Sequence, residues 1–165
     1  MKVCNTEAMK IIKDLEEEKR LVIYDEDKLS VISYTQGEGK PIGAYDYRKT
    51  RQQISDIDGK IRAIRFALAK ANCTVVVEEF GVTIAEALVM LAQWRKEYEQ
   101  LDTLTDNVQC EREVLESGVI EYRETLYDVK TVQQDQKTLN HQIGRLQMAI
   151  DRANLTNLIE IPIGD

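Results

Sequence analysis

Ile61–Glu78 reads IRAIRFALAKANCTVVVE, and Ile143–Glu160 reads IGRLQMAIDRANLTNLIE. The two stretches align without a gap at an offset of 82, and their comparison decides the fold. Identical pairs are Ile61/Ile143, Ala67/Ala149, Ala71/Ala153, Asn72/Asn154, Thr74/Thr156 and Glu78/Glu160. Others exchange one apolar residue for another, such as Ile64/Leu146, Leu68/Ile150 and Val77/Ile159. Each stretch is an apolar-seamed helix that stops at an Asn, then a Thr and a short apolar strand. The chain therefore reads as a single helical domain, 1–165, built as a pseudo-repeat of 1–82 and 83–165.

Working outward, the seam Ile54, Ile57, Ile61, Ile64, Leu68, Ala71 has the 3-4-3-4-3 spacing of a strict heptad stripe. It predicts a helix from about Asp46 to Asn72. Asn72 is expected to end it in a left-handed conformation, as Asn does where Gly is absent. Thr83 with Glu86 three residues on forms a capping box at the head of a third helix. Heptad spacing from Ile84 through Leu91, Trp94, Tyr98, Leu101, Thr105 and Val108 carries that helix to about Leu115. Ser117–Gly118 breaks the pattern, Val119–Arg123 reads as a strand, and a fourth helix runs from Val129 to Asn154.

The first helix spans about Thr6 to Tyr34, with Leu15, Val22 and Leu29 seven apart. Lys19 and Glu26 put charge at core-type positions of the same stripe. At ~1.5 Å per residue this helix would be about 42 Å long, so it lies against one partner and is exposed elsewhere. Gly37, Gly39, Pro41 and Gly43 make residues 35–45 the clearest breaker, expected to be a mobile loop. The fold class is thus mainly α: two long antiparallel helical hairpins (four helices, coiled-coil-like), with short β-strands after helices 2 and 4. The strands of the two halves are expected to pair with each other across a pseudo-twofold axis.

Composition agrees with long helices. Of 165 residues 31% are charged and 43% hydrophobic, with only 8 Gly and 2 Pro, which excludes collagen-like and loop-rich sandwich architectures. No apolar run approaches the ~20 residues that span a bilayer, and Met1–Asn5 does not open a secretory signal. Cys4, Cys73 and Cys110 are far apart and lack CxxC spacing, so neither a disulfide scaffold nor a zinc site is expected and a cytoplasmic setting is. A net charge of −7 disfavours nucleic acid, which rewards clustered cations.

Candidate chemistry is sparse. His141 is the lone histidine and has no Asp or Glu one helical turn away, so it reads as a surface residue. Glu16–Glu18 and Asp25–Asp27 are consecutive on a helix and point in different directions, so they do not converge on an ion. No catalytic motif, metal set or cofactor box is visible, and none is expected. The second helix is locally basic, and Arg51, Arg62 and Arg65 can share one face as an anion, RNA or partner contact. The stronger expectation is that these cations pair with the acidic first helix and set the register of the two helices.

The segment K-A-N-C-T-V-V-V-E-E-F-G-V-T-I-A-E-A-L, Lys70–Leu88, resembles the first motif of a small bacterial family often labelled septicolysin. There a helix ends in Asn-x-Thr, crosses to a Gly, and restarts at Thr-Ile/Leu-x-Glu-Ala. The tail Ile143–Glu160 is similar to that family's ending, and Val129–Val132 to its lead into the last helix. The chain departs from it at Leu155, where the family often has Trp. On this resemblance Asn72, Thr74, Thr83, Glu86, Asn154 and Thr156 are structural punctuation. It implies a fold and a functionally uncharacterised family, and no pore-forming element accompanies the toxin-like label. Long seams and short strands leave apolar surface to be covered. The sequence therefore points to a self-assembling, structural or protein-interaction scaffold, a homo-oligomer with no membrane role.

Overall fold

The computed structural model describes residues 1–37, 39, 43 and 45–161. Four α-helices hold 66% of these residues, with short strands in small sheets. In chain order they are β1 (Lys2–Cys4), α1 (Asn5–Leu29), α2 (Tyr47–Thr74), β2 (Val76–Val77), β3 (Val82–Thr83), α3 (Ile84–Thr105), β4 (Cys110–Val114), β5 (Ile120–Glu124), α4 (Val129–Thr156) and β6 (Leu158–Glu160). Much of the 35–45 loop expected from the glycines and proline, and Pro162–Asp165, lies outside the described residues. The chain divides into two compact units, Met1–Thr74 with Asn154–Asp165, and Val75–Ala153.

In the first unit α1 packs against α2. On α1 the inward stripe is Ala8, Ile12, Leu15, Lys19, Val22 and Glu26, fully buried at its start and half-buried beyond. On α2 it is Ile54, Ile57, Ile61, Ile64, Leu68 and Ala71, the seam read from sequence. The charged stripe positions have partners on α2. Lys19 Nζ donates to both Asp58 oxygens at 2.7 and 2.9 Å. Glu26 takes an ion pair from Arg51 and a 2.5 Å hydrogen bond from the Tyr45 hydroxyl. Arg65 reaches Glu16 at 2.6 Å. These pairs descend one helix as they ascend the other, so α1 and α2 run antiparallel.

The second unit has its core between α3, α4 and the β2–β3 turn. Val77, Ile84, Ala87, Leu91, Leu146 and Ile150 form one buried cluster. Phe80 packs edge-on against Trp94, ring centres 6.2 Å apart, at its rim. Ile143 is only half-buried, and Leu146, one turn on, is the fully enclosed seam residue.

Besides the end of α1, which falls at Leu29 rather than Tyr34, three expectations need correction. Asn72 does not adopt a left-handed cap, since no described non-glycine residue has positive φ. It stays helical, and α2 runs on to Thr74, whose hydroxyl donates back to the carbonyls of Lys70 and Ala71. The left-handed turn is made four residues after β2 by Gly81, φ +66, where glycine adopts it at no steric cost. The strands after the two repeated helices do not pair with each other. β2 pairs with β3 and β6 with β1, both antiparallel. Finally, α3 stops at Thr105 rather than near Leu115. Thr103 and Thr105 hydroxyls donate to the Glu99 and Asp102 carbonyls, and Asp106 closes the end. Such side chains compete with the helical ladder, and here they outweigh the continuing heptad.

The likeness between the two aligned stretches extends to the caps and strands beside them. Cys4 caps α1 and Thr83 caps α3, each with a capping box closed by the Glu three residues on, Glu7 and Glu86. The buried residues that follow are Ala8 and Ile12 on α1, and Ala87 and Leu91 on α3. Val76 pairs with Thr83 and Val77 with Val82, while Leu158 pairs with Cys4 and Ile159 with Val3. The two registers coincide when the halves are superposed on these caps. Cys4 is a buried strand-end cap.

Candidate interaction surface

The basic face of α2 is largely committed. Arg51 is held by Glu26 and stacks over Tyr47 at 5.7 Å, and Arg65 is held by Glu16. Arg62 is exposed and makes no ion pair among the described residues. The structure therefore splits the three candidate cations between two ion pairs to α1 and one outward side chain.

The punctuation residues serve packing. The Thr83 amide donates to Glu86 Oε2 at 2.9 Å, and the Glu86 amide donates to Thr83 Oγ1 at 3.2 Å. The Thr83 amide and hydroxyl, both donating to its carboxylate, hold Glu86 below its ordinary value, and the Cys4 amide and thiol do so for Glu7. Asn154 lies in the last turns of α4, where its side-chain oxygen accepts a 3.0 Å bond from the buried Asn5 amide. Asn72, its repeat counterpart, carries no such bond. Thr156 ends α4, as Thr74 ends α2.

No described cluster of three or more His, Cys, Asp or Glu side chains is placed to hold a metal ion. His141 faces solvent beside a hollow of about 340 Å³ with Lys137, Thr138 and Arg145. Arg145 is tied to Glu79 at 2.6 Å. A larger hollow of about 880 Å³ opens where the β4–β5 hairpin meets α4, lined by Gln109, Tyr127, Asp128 and Lys130 among others. Gln109 and Tyr127, among its polar groups, are spent on neighbouring backbone. Gln109 donates to the Tyr127 carbonyl and accepts from the Val129 amide, and Tyr127 Oη donates to the Leu104 carbonyl. Local desolvation, with the Glu124 carboxylate beside it, pushes the exposed Cys110 thiol up, the opposite of what a nucleophilic cysteine needs.

What stands out on the surface is apolar. Phe66 on α2 is 74% exposed and its repeat counterpart Met148 on α4 is 63% exposed. Val76 and Leu158 are a second exposed equivalent pair, and Cys73 and Leu155 a third. The fourth is Met9 and Leu88, equivalent through the two caps. The sequence alignment contained the first three pairs, but a seam search looks for apolar residues that are buried. Nothing in it flags those that are not.

The other exposed feature is the β4–β5 hairpin, whose second strand is legible in sequence at Val119–Arg123 and whose first the reading of a long third helix conceals. Its turn is closed by Leu115 and Val119, with Gly118 at φ +78. All ten strand residues are exposed, and no other described strand joins either edge.

No protein-family model and no curated protein matches the sequence. Among solved structures, a functionally unknown conserved protein from Corynebacterium diphtheriae has the same fold. The match has a TM-score of 0.62 at 13% identity and covers 97% of this chain and 100% of that one. At that identity the likeness speaks for the fold alone.

Proposed function

We propose that this protein is a helical scaffold that assembles with copies of itself in the cytoplasm, each half a coiled-coil-like antiparallel helical hairpin. The observation that carries the reading is the recurrence of exposed apolar side chains at equivalent places in both halves: Phe66/Met148, Val76/Leu158 and Cys73/Leu155. Single exposed apolar residues are ordinary on any surface, whereas a repeated set marks a face kept for contact. The α1–α2 stripe with its paired charges supports the hairpin geometry. Cys73 and Cys110, free and exposed, suit a reducing compartment. Membership of the septicolysin-like family is part of the same proposal, supported by the Asn-x-Thr and Thr-x-x-Glu punctuation.

The rival reading, capture of an anionic ligand or RNA by Arg51, Arg62 and Arg65, has only Arg62 unengaged in its favour. No described helix is long and apolar enough to cross a membrane, which offers nothing to a membrane-active role through such a helix.

The test is solution mass by light scattering on a sizing column, over a dilution series in low and moderate salt. A multiple of the 19.0 kDa chain that survives dilution is the expected result. A mass of 19.0 kDa throughout overturns the reading.

A further inference from the structure

A two-stranded hairpin with both faces in water is at best marginally stable by itself. Here Cys110–Val114 and Ile120–Glu124 are exposed along their whole length, and each strand leaves an edge of unpaired backbone groups. Natural sheets blunt, cover or pair such edges. The register and the side chains together indicate what pairs with this one.

The ladder is closed at its ends by bonds between Thr125 N–H and the Gln109 carbonyl and between Leu115 N–H and the Val119 carbonyl. Bonded and non-bonded pairs alternate in an antiparallel ladder. Between those ends Glu111/Arg123 and Glu113/Glu121 are therefore the bonded pairs. The N–H and C=O groups of Ile120, Tyr122 and Glu124 then point away from β4, off the free edge of β5.

We propose that β5 is a self-pairing edge: two copies join β5 to β5, antiparallel about Tyr122, to make one four-stranded sheet across a twofold axis. This adds a surface, separate from the repeated apolar residues, to the self-assembly proposed above and rests on that reading. Only registers that match outward-pointing residues with outward-pointing residues are available, so the axis falls on Glu121, Tyr122 or Arg123. An axis on Glu121 sets that carboxylate opposite its own copy, and one on Arg123 does the same for the guanidinium. Directly opposed like charges destabilise a strand pair. With the axis on Tyr122, Glu121 faces Arg123 of the second copy and Arg123 faces its Glu121. Tyr122 faces Tyr122 on the other side of the sheet, and Ile120 faces Glu124. β4 has no such solution. Axes on Glu111, Arg112 or Glu113 each oppose a charged residue to itself, so only the β5 edge is self-complementary.

The test compares solution masses and dissociation constants of the wild-type chain and three variants, with helical circular dichroism as the folding control. Glu121→Arg sets an arginine against Arg123 of the other copy in each of the two cross-axis contacts, while within one chain it gains an attractive partner in Glu113. Its expected effect is association weakened about tenfold or more. The double reversal Glu121→Arg/Arg123→Glu restores both the cross-axis pairs and the balance inside the hairpin, and is expected to recover wild-type association. Tyr122→Pro deletes an outward N–H without touching the β4 ladder, and is expected to abolish pairing at this edge. A wild-type assembly indifferent to Glu121→Arg and Tyr122→Pro overturns the hairpin interface and leaves self-assembly standing. A double reversal that stays as weak as the single one also overturns it. A wild-type chain that remains at 19.0 kDa at every dilution sinks both proposals.

Discussion

Asn5 is the one buried polar residue of the described chain, 2% exposed at the first position of α1. Its amide nitrogen is satisfied by Asn154, and its side-chain oxygen has no partner. Removing the single acceptor strands a buried donor, which costs more than the net worth of the bond. Asn154→Ala should lower unfolding free energy by about 1–3 kcal/mol. Asn72→Ala, at the equivalent helical position without a bond to lose, should cost far less; urea denaturation of the two variants measures the difference. The capping carboxylates act at the same scale. Glu7 and Glu86 sit below their ordinary value of 4.5 because backbone amides donate to their charged form. The unfolded chain then holds protons more readily than the folded one, so this stability is whole above about pH 4.5 and is lost as pH falls through the folded values. Glu7→Gln/Glu86→Gln should flatten that acid limb in urea midpoints taken as a function of pH.

At the level of the helix, α4 offers a controlled comparison. Leu146 is fully enclosed in the second unit's core, while Met148, two residues on, stands in solvent. Leu146→Ala should cost about 2–5 kcal/mol, the range for a buried Leu truncated to leave a cavity. Met148→Ala should leave chain stability within about 0.5 kcal/mol, the range for surface changes, and thermal melts separate the two. The heptad reading found α2 and most of α4 because their stripes are unbroken. It overran α3 because Thr105 and Val108 extend the period. The end of that helix is set by Thr103, Thr105 and Asp106 bonding back to the backbone, a local competition that hydrophobic periodicity does not register. The ten exposed hairpin residues carry little apolar alternation, so β4 left no signal of its own.

Across the whole chain, the β6–β1 pair brings Met1 and Ile161 together, with the Ile161 amide donating to the Met1 carbonyl at 3.0 Å and the terminal amine to the Ile161 carbonyl at 3.1 Å. The β2–β3 pair has the same register but is joined by the turn Glu78–Gly81. One junction is open and the other closed, which is a recipe for permutation. A chain with a flexible linker joining its ends and a new opening between Phe80 and Gly81 should fold with unchanged helical circular dichroism and a cooperative melt. Loss of the helical signal would show that the β2–β3 turn does more than connect.

The presence of four helices, the α2 seam, the Thr83–Glu86 box and the charge complementarity of α1 and α2 are properties of neighbours along the chain or of periods of three and four residues. Sequence alone determined them for that reason. Strand partners are different: β2 and β6 are too short for side-chain alternation to name a mate, so only the tertiary structure decided that each joins the strand heading the next helix. The same holds for Asn5 and Asn154, separated by 149 residues. It holds too for which apolar side chains are left outside, because burial depends on what packs against a residue and not on the residue itself.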